Sequence, residues 1–183
     1  MFPTTMVTRK GFIPQRILLF VIEDITESAF CVEVTGNLTI DYKVRDYCRL
    51  PYPGHPEGCP HFGKREECPP QAPLIEHFID LSKPHYLIIV KLNCDHAIER
   101  EKPHNPSKER YWLDWELHAE SVLEKHVQKF QKNHLGTVFT LHPSAVGVDV
   151  FKTAQNMGIP LEPAPQKTFH KIALIGYPLQ NEP

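Results

Sequence analysis

Tyr86-Leu87-Ile88-Ile89-Val90 is an unbroken apolar run. It is short and rich in branched aliphatic side chains, so it reads as a strand buried on both faces. Downstream, Asn93 to Asn105 is polar and charged and predicts an exposed loop. Pro106-Ser107 then opens the longest helical pattern, which runs to His134. Trp112, Trp115, Ala119, Val122, Leu123, Val127 and Phe130 form its inward stripe. A buried strand followed by such a helix is compatible with a βαβ unit. Pro143 starts another helix, with Val146, Val150, Phe151 and Ala154 facing inward and Gly158 as its stop. Within it Asp149 suits pairing with Lys152 or capping of a neighbouring backbone. Lys171 to Tyr177 closes the pattern as a strand.

Upstream, Arg16 to Ile25 and Ala29 to Val34 predict two strands. In the second, Phe30, Val32 and Val34 alternate with Cys31 and Glu33, which places Cys31 as a buried, inert thiol. Gly36-Asn37 supplies a turn, across which Thr39 to Val44 is expected to pair as a third strand. Leu74, Ile75, Phe78, Ile79 and Leu81 recur at helical spacing. The predicted fold is α/β or α+β: a single mixed sheet with helices, in one domain over residues 11–183 behind a loose tail, Met1 to Lys10.

A chain of 183 residues with 41 % apolar and 23 % charged residues is long and apolar enough to bury a core. Its formal charge of −2 gives no basic face for nucleic acid. The apolar run Ile17 to Ile22 ends at Glu23-Asp24, far short of the roughly 20 residues a membrane span needs. The expected setting is therefore the cytoplasm, with a small molecule or another protein as partner and neither nucleic acid nor membrane.

Residues 49–73 change character. Prolines stand at 51, 53, 56, 60, 69, 70 and 73, and glycines at 54, 58 and 63. Proline removes backbone donors and fixes φ, so the segment is neither helix nor central strand. A long loop in a small domain calls for a function or a constraint. Cys48, Cys59 and Cys68 supply one, spaced C-x10-C-x8-C. An odd total of five cysteines argues against a disulfide scaffold and for thiolates gathered on a metal within a loop spanning 48–70. Thiolates take zinc or an iron–sulfur cluster. The wide spacing favours the larger object, because zinc knuckles use C-x2-4-C pairs. Gly58 and Gly63 let the backbone come close, the prolines after Cys59 and Cys68 fix the chain, and Lys64 and Arg65 offset thiolate charge.

The candidates for a fourth ligand are Cys94, Cys31, His55 and His61. Most of the eleven histidines are scattered, and His118, His126 and His134 read as surface or boundary residues of the long helix. No glycine-rich phosphate loop, nucleophile elbow or HExxH string occurs, so no catalytic residue and no reaction follow from the sequence.

Val44-Arg45, Cys48, the string Gly58-Cys59-Pro60-His61-Phe62-Gly63-Lys64-Arg65-Glu66-Glu67-Cys68-Pro69-Pro70, and Pro143-Ser144-Ala145-Val146-Gly147-Val148-Asp149-Val150-Phe151 together resemble an archaeal and bacterial family of predicted metal-binding proteins. That family is a cysteine-rich domain of unknown function. The resemblance implies metal binding at Cys48, Cys59 and Cys68. It departs from the family between His134 and His142, where a second cysteine cluster is usual and none is present. The expected cofactor is one iron–sulfur cluster on three cysteines, with an open coordination position for a redox or substrate-binding role. The alternative is a structural zinc loop serving as an interaction module.

Overall fold

The apolar run at 86–90 lies in the central strand of a five-stranded sheet. The computed structural model describes residues 17–18, 27–51, 55–93, 111–161 and 168–179, with the backbone alone at 17–18, 27 and 111–117. The tail at 1–10, Cys94 with the rest of the expected loop, and the side chains of Trp112 and Trp115 lie outside the described residues. In chain order the strands are β1 (Ile17–Leu18), β2 (Glu27–Glu33), β3 (Tyr86–Asn93), β4 (Val138–Thr140) and β5 (Thr168–Gly176). Two α-helices, α1 (Tyr111–Asn133) and α2 (Val150–Asn156), accompany three 3-10 helices: η1 (Tyr42–Arg49), η2 (Ile75–His77) and η3 (Pro143–Val146).

Sheet order is β1-β2-β3-β5-β4, and every strand pairing among the described residues is antiparallel. Helices and one sheet are present as expected, but in the α+β form with an antiparallel rather than a mixed sheet. β3 and β4 point the same way because β5 runs antiparallel to both. The expected βαβ unit is thus split: the path from β3 to β4 skips one strand position, which β5 fills.

Both faces of the sheet are covered, which is why β3 and β5 carry continuous apolar runs. On one face Ala29, Cys31, Ile88, Val90, Ala173 and Ile175 pack under Ala119, Leu123, Val127 and Phe130 of α1. Ala119, Leu123 and Val127 are fully buried, so the described part of the predicted stripe does face the core. Lys171 reaches Glu120 of α1 at 3.0 Å. On the opposite face Val32, Val34, Leu87, Ile89, Ile172 and Leu174 lie under a layer of 3-10 helices and loops, including Ala72, Ile75, Ile79, Val146 and Val148.

Several expected elements take another form. Of the strand expected at 16–25, the described part is Ile17–Leu18, paired to Val32 and Cys31. Thr39 to Val44 is not a strand beside β2, because β1 and β3 already occupy the two edges of β2. The segment bonds to the approach to α2 instead: Asp149 N donates to Thr39 O at 2.9 Å and Asp41 N to Gly147 O at 2.9 Å. Ile40 bridges Val148 between them. The periodic stretch 74–81 forms only η2. Asp80 N donates to Tyr177 O at 2.8 Å and Ile79 bridges Pro178, which draws the chain out of the helix. Ile75 and Ile79 are nevertheless fully buried, so the spacing located the inward residues while missing the element.

The helix expected from Pro143 is broken into η3 and α2 at Gly147, whose φ is +96°. Phe151 is 43 % exposed rather than core, since α2 turns Ala154 inward and Val150 only partly. Asp149 caps α2: its Oδ1 accepts from Lys152 N at 2.9 Å, and its Oδ2 lies 3.5 Å from Lys152 Nζ. Asp149→Ala should cost about 1 kcal/mol in urea denaturation, while Asp149→Asn, which keeps an acceptor at the cap, should recover most of it. Equal losses in the two variants would mean that the Lys152 ion pair, and not the cap, stabilises α2. Among the described residues no helix is long and apolar enough to cross a membrane.

Candidate metal centre

A 3-10 helix has about three residues per turn, so side chains at i and i+3 stack in a row. On η1 that row is Tyr42, Arg45 and Cys48, and it runs along the segment from Cys68 to Glu76. Tyr42 donates its hydroxyl to Glu76 Oε1 at 2.6 Å. Arg45 Nη2 donates to Pro70 O at 3.1 Å and to Ala72 O at 2.9 Å. The Tyr42 hydrogen bond holds the Glu76 carboxyl below its usual range, and the same bond raises the Tyr42 phenol. The second string found in the sequence supports this row from below. A Cβ on Gly147 would lie 2.6 Å from Cδ1 of Tyr42, so only glycine lets the ring settle there. The residues 143–151 therefore fix the start of the helix that carries Cys48.

The loop then returns to η1. Cys59 N donates to Cys48 O at 2.7 Å. This crossing is tight: a Cβ on Gly58 would stand 2.8 Å from Arg49 C and 2.8 Å from Cys48 O. Gly58 has φ +83°, a conformation that costs a residue with a side chain about 1–2 kcal/mol. Successive turns follow, with Phe62 N to Cys59 O at 3.1 Å, Lys64 N to His61 O at 3.0 Å and Cys68 N to Arg65 O at 3.1 Å. Gly63 N reaches Pro69 O at 2.8 Å, and Gln71 Nε2 reaches Gly63 O at 2.9 Å, which pins the far end of the loop onto its middle. The described part of this proline-rich backbone thus pairs polar groups through short turns.

Cys48, Cys59 and Cys68 are half-buried and carry free thiols. Burial pushes the Cys48 thiol up from its ordinary value, and the neighbouring Cys59 raises it further. Cys68 is raised first by burial, then by Cys59, Glu67 and Cys48, with Arg65 opposing. Each of the three thus lies within electrostatic reach of another, and Arg65 opposes the rise at Cys68 alone. Among the described residues no three Cys, His, Asp or Glu side chains are set as a ready-made metal cage.

The fourth-ligand candidates separate. Cys31 lies on the α1 face of the sheet, across the strands from the loop layer, and is excluded. Burial and then Glu33 push its thiol up to about 12. It lines a cavity of about 110 Å³ with Ile88, His126, Lys129, Phe130 and His134. His134 stacks on Phe130 with centroids 3.9 Å apart and donates from Nδ1 to Phe130 O at 3.1 Å, and His118 is exposed, so these helix histidines are boundary and surface residues. His55 and His61 are half-buried within the loop. Sequence reasoning missed the Tyr42–Arg45–Cys48 row; its signal was a spacing of three, which a search for helical periods of 3.6 passes over. No known protein family, curated protein or solved structure matches the chain.

Proposed function

We propose that the chain binds a thiophilic metal centre through Cys48, Cys59 and Cys68. The reading is one iron–sulfur cluster held by three thiolates, with one iron position open to a substrate or to a partner's ligand. The observation that supports it is the return of the loop onto η1: the 2.7 Å bond from Cys59 N to Cys48 O joins the backbones of two of the three cysteines across 11 positions of sequence. The donor set fits, since three sulfurs with a nearby arginine suit a soft, electron-rich centre. The two strings that resemble a family of predicted metal-binding proteins point to the same residues. The open thiols are suited to a reducing compartment such as the cytoplasm. When bound, the cluster supplies electron transfer or Lewis acidity, while the chain's own residues hold it and balance its charge.

A second reading, a structural zinc loop that organises a docking surface, draws support from Tyr47 and Leu50. Tyr47 on η1 and Leu50 at its C-cap stand on either side of Cys48 and are 58 % and 56 % exposed. Metal and acid-labile sulfide analysis of anaerobically prepared protein tests both. Iron with sulfide, and absorbance near roughly 400 nm, is the expected result. One colourless zinc per chain would favour the second reading, and an empty chain after anaerobic loading would end both.

The loop buries little apolar surface, so ligand bonds should supply much of the free energy that orders it. Removing the metal by chelation should make residues 48–70 protease-sensitive while α1 stays protected. Equal cleavage with and without metal would overturn this coupling.

A further inference from the structure

We propose that the metal-free loop is a peroxide-responsive thiol switch in which Cys48 and Cys59 close a disulfide and Cys68 stays reduced. This rests on the reading of the three cysteines as one site and adds a form of regulation to it, because the disulfide removes two of the three metal ligands.

The backbone selects the pair. A direct N–H to O=C bond between two segments commonly sets the bonded residues' Cα atoms about 5–6 Å apart, inside the range a disulfide spans. Cys59 and Cys48 are so joined, at 2.7 Å. The missing Cβ of Gly58 keeps the two chain segments in contact, at a distance of 2.8 Å from that Cβ position to the Cys48 carbonyl oxygen. Cys68 is tied differently: its amide bonds to Arg65 O and its carbonyl accepts from Ala72 N, and no described backbone bond joins it to Cys48 or Cys59. Both members of the pair are half-buried and within reach of a small oxidant, whereas Cys31 is 6 % exposed and enclosed by α1.

The chemistry balances with peroxide as the oxidant. One thiol gives its proton to solvent, its thiolate sulfur attacks a peroxide oxygen, the O–O bond breaks, and the departing hydroxide takes up a proton, so that a sulfenic acid and one water result. The second sulfur attacks the sulfenic sulfur, the S–S bond forms, and the S–O bond breaks to release a second water. Two thiols have lost two electrons and two protons, and one peroxide has become two waters.

The test uses the full chain, stripped of metal by a chelator under nitrogen and treated with one equivalent of hydrogen peroxide. Thiol counting, alkylation and peptide mapping follow. The expected result is the loss of two titratable thiols per chain, a Cys48–Cys59 crosslinked peptide and an alkylated Cys68, all reversed by a dithiol. Cys68→Ser should give the same crosslink in the same yield, while Cys59→Ser should give none. A crosslink that maps to Cys68, a Cys68→Ser variant that no longer crosslinks, or three thiols that all remain alkylatable would overturn the switch. Metal analysis of the unstripped chain is read separately, so an empty chain that still forms the crosslink refutes the metal reading and not the pairing.

Discussion

Gly58→Ala is expected to leave the chain without bound metal and to lower its stability by about 2–5 kcal/mol. Two costs combine. Holding alanine at φ +83° costs about 1–2 kcal/mol, and forcing a methyl into a filled space typically costs about 1–3 kcal/mol more. The second cost is hard to avoid here, because the obstructing atoms are backbone: Arg49 C, Cys48 O and Arg49 O, at 2.8, 2.8 and 2.9 Å. A side chain could rotate aside, but η1 can give way only by moving Cys48 itself. The bond from Cys59 N to Cys48 O then lengthens and the thiols separate. Gly63→Ala is the matched control, since Gly63 shares a positive φ but has open space around its Cβ position. It should cost only the conformational share and retain metal. Metal per chain and urea denaturation of the two variants decide the matter, and a Gly58→Ala protein that keeps both metal and stability would show that the crossing is not needed.

Raising the pH should destabilise the protein through Cys31, by about 2 kcal/mol at pH 10.5 and on the order of 4 kcal/mol by pH 12. The sign follows from where the proton is held more tightly. In the fold, burial raises the Cys31 thiol from 9.0 to about 12, so the folded chain keeps a proton that the unfolded chain releases. The stabilisation is complete below the unfolded value and drains away as pH climbs from about 9 towards 12. Among its charged neighbours, Glu33 raises the thiol further, and Lys129, His126 and His134 line the same cavity. Cys31→Val removes the titrating group with little change of volume and should flatten this part of the profile. The measurement is urea denaturation of both proteins across that range, taken as a difference so that lysines and tyrosines cancel. Parallel curves would mean that Cys31 ionises as easily in the fold as out of it.

The placing of Cys31 marks how much of the molecule was legible in advance. Alternation set it on the face opposite Phe30 and Val32, because side chains on a strand change face at every residue, and α1 buries it there. The same local rule located β3, β5 and the α1 stripe, since two covered faces demand continuous apolar runs and one covered helix face demands a spacing of three to four. Proline and glycine density ruled out helix and strand around Cys59, and Asp149 as a helix cap rests on short-range chemistry as well.

Where the neighbours are distant in sequence, local pattern failed. Thr39 to Val44 has the composition of a strand, yet both edges of β2 were taken by β1 and β3, and its backbone bonded to residues 147–149 instead. The stretch at 74–81 has a helical period but gave its amides and carbonyls to the chain beyond β5. Strand order was also invisible, because β5 entering between β3 and β4 depends on which apolar faces meet. The amino-acid sequence by itself determined the strand and helix cores, the proline-rich loop and its three cysteines, each of which depends on residues a few positions apart. Only the tertiary structure decided that residues 143–151 seat Tyr42, that Gly58 lets the loop cross η1, and that Cys31 stands on the far side of the sheet. Those are contacts between segments tens of residues apart, and what selects them is the competition among all segments for the same backbone partners and the same apolar surface.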